Sequence, residues 1–213
     1  MELLLKLDDF HHIPDWCHKD KICKDLAYDY MQKISYAYQD WNRTIEEELS
    51  VKNICYLILQ AVWIQEAVIG MKRMYRKDIC DRYIPLDLST YDKYLRAIRS
   101  FVLAHPMSTD RHSAFGLDGS VKCVDIRIGC SAAAGLLTSD ERCKYIDLNG
   151  IHDGRNDDYK DYCLFVYSDN DSWKFFYYIF CSLKDLMDST QAYIDEYLNF
   201  CKFLSKQRKK YYT

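Results

Sequence analysis

The chain has 213 residues, a net charge of −3 and a pI of about 6.1, with 49% hydrophobic, 29% charged and 15% aromatic residues. Only seven glycines and three prolines are present, which excludes collagen-like and Pro-rich chains and leaves too few turn formers for an all-β sandwich or barrel. The apolar content excludes disorder, and the acidic balance excludes a whole-surface basic field for nucleic acid, so any phosphate must be held by a local patch.

The N-terminal run MELLLKLDDF is not a signal peptide, because three leucines are followed at once by Asp8 and Asp9. His11, His12, Asp15, Cys17, His18 and Cys23 come next. They are rich in ligand atoms, but their spacing fits no zinc pattern, and no metal or other cofactor is expected. The ten cysteines include no CxxC pair. They read as mostly reduced, buried small hydrophobes of a cytoplasmic protein.

Residues 20–48 predict a first helix, with Ile22, Leu26, Tyr30, Ile34, Ala37, Trp41 and Ile45 at three- or four-residue steps. Glu46, Glu47 and Glu48 oppose the helix dipole at its end and read as connection. Ser50 caps a second helix, about 51–77, which is apolar on most faces and so central, not a membrane span: Gln60, Gln65 and Glu66 interrupt it. Its basic end, Lys72, Arg73, Arg76 and Lys77, suits a helix C-terminus. After Pro85, Ser89 or Thr90 caps a third helix, 90–104, that Pro106 stops at His105.

Six of the seven glycines then fall between 116 and 154. The segments 121–130, 144–148, 162–167 and 173–180 read as strands, the last two joined as a hairpin through SDNDS (168–172). A final helix follows, with Ser182 and Asp185 as a capping box and Leu183, Met187, Thr190, Ile194, Tyr197, Cys201 and Leu204 as its stripe. It ends in a basic tail with Lys206, Arg208, Lys209 and Lys210. The expected fold is therefore α+β and mainly helical in one domain, 1–213. Four helices (20–106 and 181–210) would form a bundle, with a small antiparallel β insertion at 115–180 between the third and last long helices. The tyrosines on helix stripes, Tyr30, Tyr91, Tyr193 and Tyr197, read as packing residues and not as base-stacking platforms.

No Walker loop, GxGxxG, GxSxG or HExxH is present. The candidate chemistry lies in LRAIRSFVLAHP (95–106), where Arg99 is followed by a polar Ser100 and, after five intervening residues, by His105. This segment resembles the motif of the HEPN superfamily: helical-bundle proteins with Arg, four to six residues, then His. The AHP ending is similar to members of the abortive-infection and toxin type. The resemblance covers the four helices and not the β segment. It implies a metal-independent endoribonuclease of a host-defence or toxin system, acting on RNA as a homodimer in the cytoplasm, with a cognate antitoxin or immunity partner. Arg99 would bind phosphate and His105 would act as general acid or base. A guanidinium matches phosphate bidentately, and an imidazole titrates near neutrality. Arg96, Ser100, Arg111 and His112 are the expected substrate-binding neighbours. The same residues admit a structural reading, in which His105 continues the apolar series Tyr91, Leu95, Ile98 and Val102 and Arg99 is an ordinary flank residue. They also admit a non-catalytic HEPN-like protein that binds RNA or a partner protein, or a small-molecule enzyme with its pocket between bundle and sheet.

Overall fold

The structure is a computed structural model that describes residues 3–7, 15–104, 107–109, 111–117, 120–128, 143–153, 161–170 and 173–211. His11, His12, His105 and Pro106, all named above, lie outside the described residues. The protein is α+β. Helices α1 (Lys21–Ile45), α2 (Val51–Lys72), α3 (Lys77–Cys80) and α4 (Ser89–Arg99) precede six strands, and α5 (Leu183–Tyr211) follows them. The strands are β1 (Met107–Thr109), β2 (Ser120–Ile128), β3 (Cys143–Asp147), β4 (Gly150–Asp153), β5 (Tyr162–Asn170) and β6 (Trp173–Cys181).

Local chemistry accounts for the helix starts. Asp20 caps α1 by accepting from the Cys23 amide at 2.7 Å, and the Ser50 hydroxyl caps α2 through the Asn53 amide at 3.1 Å. At α4 the expected Ser89 or Thr90 cap is replaced. The helix already begins at Ser89, and the Asp87 carboxylate accepts from the Ser89 amide at 3.0 Å. At α5, Ser182 Oγ takes the Lys184 amide and Asp161 takes the Leu183 amide. Glu46–Glu48 lie outside α1, as their charge demands. The second helix ends at Lys72, short of the expected 77, and a turn separates it from α3.

Helix α2 packs against α1, α4 and α5, and the sheet meets α2 and α4 through β2 and β4. One continuous hydrophobic cluster joins Trp41, Leu57, Ile64, Leu95, Phe101, Leu164, Ile179 and Leu198 across helices and sheet. Among the described residues α2 is the one helix long and apolar enough to cross a membrane, and here it is the core of the helical layer. On α1 the buried face is Ala27, Ile34, Ala37 and Trp41, whereas Ile22 and Leu26 of the expected stripe are exposed. Of the nine described cysteines, all free thiols, five are buried: Cys17, Cys143, Cys163, Cys181 and Cys201.

The sheet corrects one expectation. It is mixed, not antiparallel, with strand order β1-β2-β5-β6-β3-β4. β5 and β6 form the expected hairpin out to Asn170 opposite Trp173, and β2 runs antiparallel to β5. β3, however, joins the far edge beside β6 and runs parallel to it. Alternation along KYIDL specifies which faces are apolar but carries no information on strand direction, which depends on the edge the chain reaches.

Two polar devices tie the layers together. Near the N-terminus, residues 3–6 run between α1 and α5. Asn42 accepts from the Leu5 amide (2.8 Å) and donates to its carbonyl (3.0 Å), and Gln191 does the same for Lys6 (2.8 and 3.0 Å). Trp41 Nε1 adds a bond to the Leu3 carbonyl at 3.1 Å. These side-chain amides pair with the segment as a neighbouring strand would, and Leu5 is buried between them. The second device is Glu196 on α5, fully buried, which accepts from Lys72, from the Tyr83 hydroxyl and from the Leu86 amide, the last two at 2.9 Å. It therefore binds the α3–α4 connection to α2 and α5.

Two predictions follow from these contacts. Replacing Glu196 by Ala leaves three donors facing an apolar hole, so a loss of about 3 kcal/mol is expected in urea unfolding, with an unchanged m-value. At the β3–β4 turn, burial works against charge on His152, but the Asp147 carboxylate (2.9 Å) and the Asp153 carbonyl (3.2 Å) outweigh it and raise its pKa. The stabilisation is therefore fully present below the ordinary imidazole pKa of 6.5 and is lost as pH rises through the raised value. The ring is exposed, so the change between about pH 6 and about pH 8 should stay under about 1 kcal/mol, and His152→Asn should abolish it.

Candidate phosphate-binding groove

Helix α4 does not stop after Arg99. It continues as a π-helical turn over Ser100–Ala104. A 3-10 turn, Arg111–Phe115, lies against this segment. Its His112 is fully buried, with its ring 4.3 Å from that of Phe101 and Nε2 3.2 Å from the Ser100 carbonyl. A carbonyl can only accept, so Nε2 carries the proton in this contact. His112 thus holds the end of α4 from beneath. Arg111, by contrast, is exposed.

The exposed strip of α2 and the facing side of α4 enclose a groove of about 580 Å³. α2 contributes Glu66, Ile69 and Gly70, Arg73 follows at its C-terminal cap, α4 contributes Arg96 and Arg99, and Tyr30 reaches in from α1. A second hollow of about 350 Å³ shares Arg96 and Arg99 and extends to Ser100, Arg111 and Phe115. The two form one path past the end of α4. Arg73, Arg96, Arg99 and Arg111 line it together with two carboxylates, Glu66 and Asp92. Two positive charges are in excess there, although the whole chain carries −3.

The two carboxylates are held differently. Asp92 is anchored from below: Gln65 Nε2 donates to its Oδ1 at 2.9 Å and the Tyr193 hydroxyl donates to the same oxygen at 3.2 Å. Gln65 also donates to the Tyr193 oxygen at 3.1 Å, and both side chains are buried. Burial, with the Asp92 charge adding to it and Gln65 opposing, pushes the Tyr193 pKa up to about 12, so the phenol is neutral and donates. The other oxygen of Asp92 takes Arg96 Nε at 2.8 Å, one helical turn on. Arg96 is itself exposed, and its partner Asp92 is the part that the buried Gln65 and Tyr193 hold in place. Arg99 pairs with Glu66 across the groove, but both side chains are about half exposed, so the pair is weak and an anion can displace the carboxylate.

Of the expected site residues, Arg99, Arg96, Ser100 and Arg111 line this one groove, while His112 faces the backbone of the π turn. Within the basic end of α2, only Arg73 joins them; Lys72 binds Glu196 and Arg76 pairs with Asp78 at 3.0 Å. Sequence reasoning missed Glu66, Asp92, Gln65 and Tyr193. Asp92 and Arg96 at i, i+4 were a visible signal; the contacts from α2 and α5 were not. Near the N-terminus, the His18 ring lies 4.7 Å from that of Tyr75, tilted by 32°, and no group of three His, Cys, Asp or Glu that could hold a metal occurs among the described residues.

Tyr193→Phe deletes one of the donors to Asp92 and the acceptor of Gln65, and should cost about 1 kcal/mol in urea unfolding. A zero or stabilising effect would show that the network contributes nothing. The chain matches no family model, no curated protein and no solved structure.

Proposed function

We propose that the protein is a metal-independent, HEPN-like endoribonuclease of a host-defence or toxin system, with its active centre where the groove passes the end of α4. The observation that carries this reading is the set of four arginines, Arg73, Arg96, Arg99 and Arg111, in two hollows that share Arg96 and Arg99 at the end of α4, a few residues before His105 in the sequence. The four long helices correspond to the HEPN bundle in this reading, and the sheet is an addition to it.

The chemistry needs no metal. The 2′-oxygen of a ribose attacks the adjacent phosphorus, the bond to the 5′-oxygen breaks, and a cyclic phosphate and a 5′-hydroxyl result. One proton must leave the 2′-hydroxyl and one must reach the 5′-oxygen, and charge develops on the non-bridging oxygens. Arg99, displaced from Glu66, takes that charge bidentately, and Arg96 supplies a second fork. His105 carries out one of the proton transfers, and a homodimer would bring a second Arg–His pair for the other. A cognate antitoxin would act by covering this groove.

Arg99→Ala and His105→Ala should each abolish cleavage of a generic RNA in metal-chelated buffer. Unchanged cleavage in both variants overturns the assignment. Retained RNA binding without any cleavage by the native protein would instead favour the non-catalytic alternative. Arginine contacts also predict a salt dependence: each removal, from Arg73→Ala to Arg111→Ala, should lower the slope of log affinity against log salt by roughly 0.7 for a single strand.

A further inference from the structure

Gly70 sits inside α2, where glycine is unfavourable relative to alanine because it loses more backbone freedom. Its backbone is ordinary helix and does not require glycine; the positive-φ glycines among the described residues are Gly116 and Gly150. What requires glycine is space. A Cβ at Gly70 would lie 2.7 Å from Tyr30 Cζ and 2.9 Å from Tyr30 Cε1 and the hydroxyl oxygen. The phenol ring of Tyr30 therefore occupies the volume of a missing side chain on α2.

That position is in the groove. Tyr30 borders it together with Arg73, Arg96 and Arg99. Tyr30 packs against the edge of the core, as its place on the α1 stripe implies, yet its ring stays only half-buried, whereas Tyr94, Tyr193 and Tyr197, also on helices, are at most 3% exposed. An aromatic surface seated on a bare stretch of helix beside arginine forks is the combination that single-stranded nucleic acids use, with phosphates on the cations and a base on the ring. We propose that Tyr30, seated on Gly70, is a nucleobase-stacking subsite of the groove, holding an unpaired base of the strand whose phosphates contact Arg73, Arg96 and Arg99. The subsite deepens the proposed function and rests on its assignment of the groove to RNA.

Alanine at position 70 pushes the free end of the Tyr30 ring out of its seat and favours the helix, so Gly70→Ala tests the ring position without threatening the fold. Tyr30→Leu removes the aromatic ring while keeping apolar bulk. The probes are a fluorescein-labelled 2′-O-methyl RNA oligonucleotide, which cannot be cleaved, and the same backbone without bases, both followed by anisotropy. The native protein should bind the base-bearing strand roughly tenfold tighter than the abasic one. Both variants should bring that ratio close to one, with abasic binding unchanged. A native ratio of one, or a native-like ratio in both variants, overturns the subsite and leaves the groove assignment standing. If neither strand binds, the groove assignment fails and the subsite with it. If unmodified RNA stays intact while the ratio depends on Gly70 and Tyr30, the cleavage reading fails and the subsite holds.

Discussion

Helix α2 is apolar on most of its faces, and the other elements are placed by the need to cover them. Thirteen of its 22 residues are buried. At about 25 cal/mol per Å² of apolar surface, leaving even one side of such a helix bare is costlier than any single polar contact in the protein can offset. Cover comes from α1 on one side, α5 on another, and α4 with its π turn on a third, while β2 touches the remaining edge. A continuous core from helices into sheet is the result, and the sheet positions are buried because they complete that cover.

The groove is what this cover leaves open. Along one strip of α2 the residues Glu66, Ile69 and Arg73 are exposed, and α4 crosses beside them without closing over them. Polar groups gather there because they can remain partly in water. Those just beneath, Gln65 and Tyr193, are fully occupied with Asp92 and with each other, which lets a buried amide and phenol sit next to the core without unmet bonding capacity. The same logic applies at Glu196, whose buried charge is tolerated because three donors from different segments converge on it.

Much of the helical layer was legible in the residues themselves. The Ser50 cap, the apolar character of most faces of the second helix and the misplaced charges at Glu46–Glu48 are local properties, and they appear as read, though the helix ends at Lys72 and not near 77. The phase of α1 was not fully legible. Ile22 and Leu26 fit the same stripe as Ile34 and Trp41, but a stripe is buried only where a neighbour lies against it. Four residues near the motif, Arg96, Arg99, Ser100 and Arg111, could be grouped by proximity in sequence and do share a groove. His112 belongs to the same stretch, yet it faces inward, because the 3-10 turn rotates it under Phe101 while leaving Arg111 outside.

By itself the sequence determined the fold class, the central helix, most strand segments and a cluster of arginines around α4, since hydrophobic period, capping and charge placement act over a few residues. Strand order, the parallel β3–β6 pair, the Glu196 anchor, the union of Tyr30, Glu66 and Asp92 in one groove and the Tyr193 bond beneath it were decided only in three dimensions. Each joins residues far apart along the chain, and no local periodicity encodes which distant partner will cover a given face.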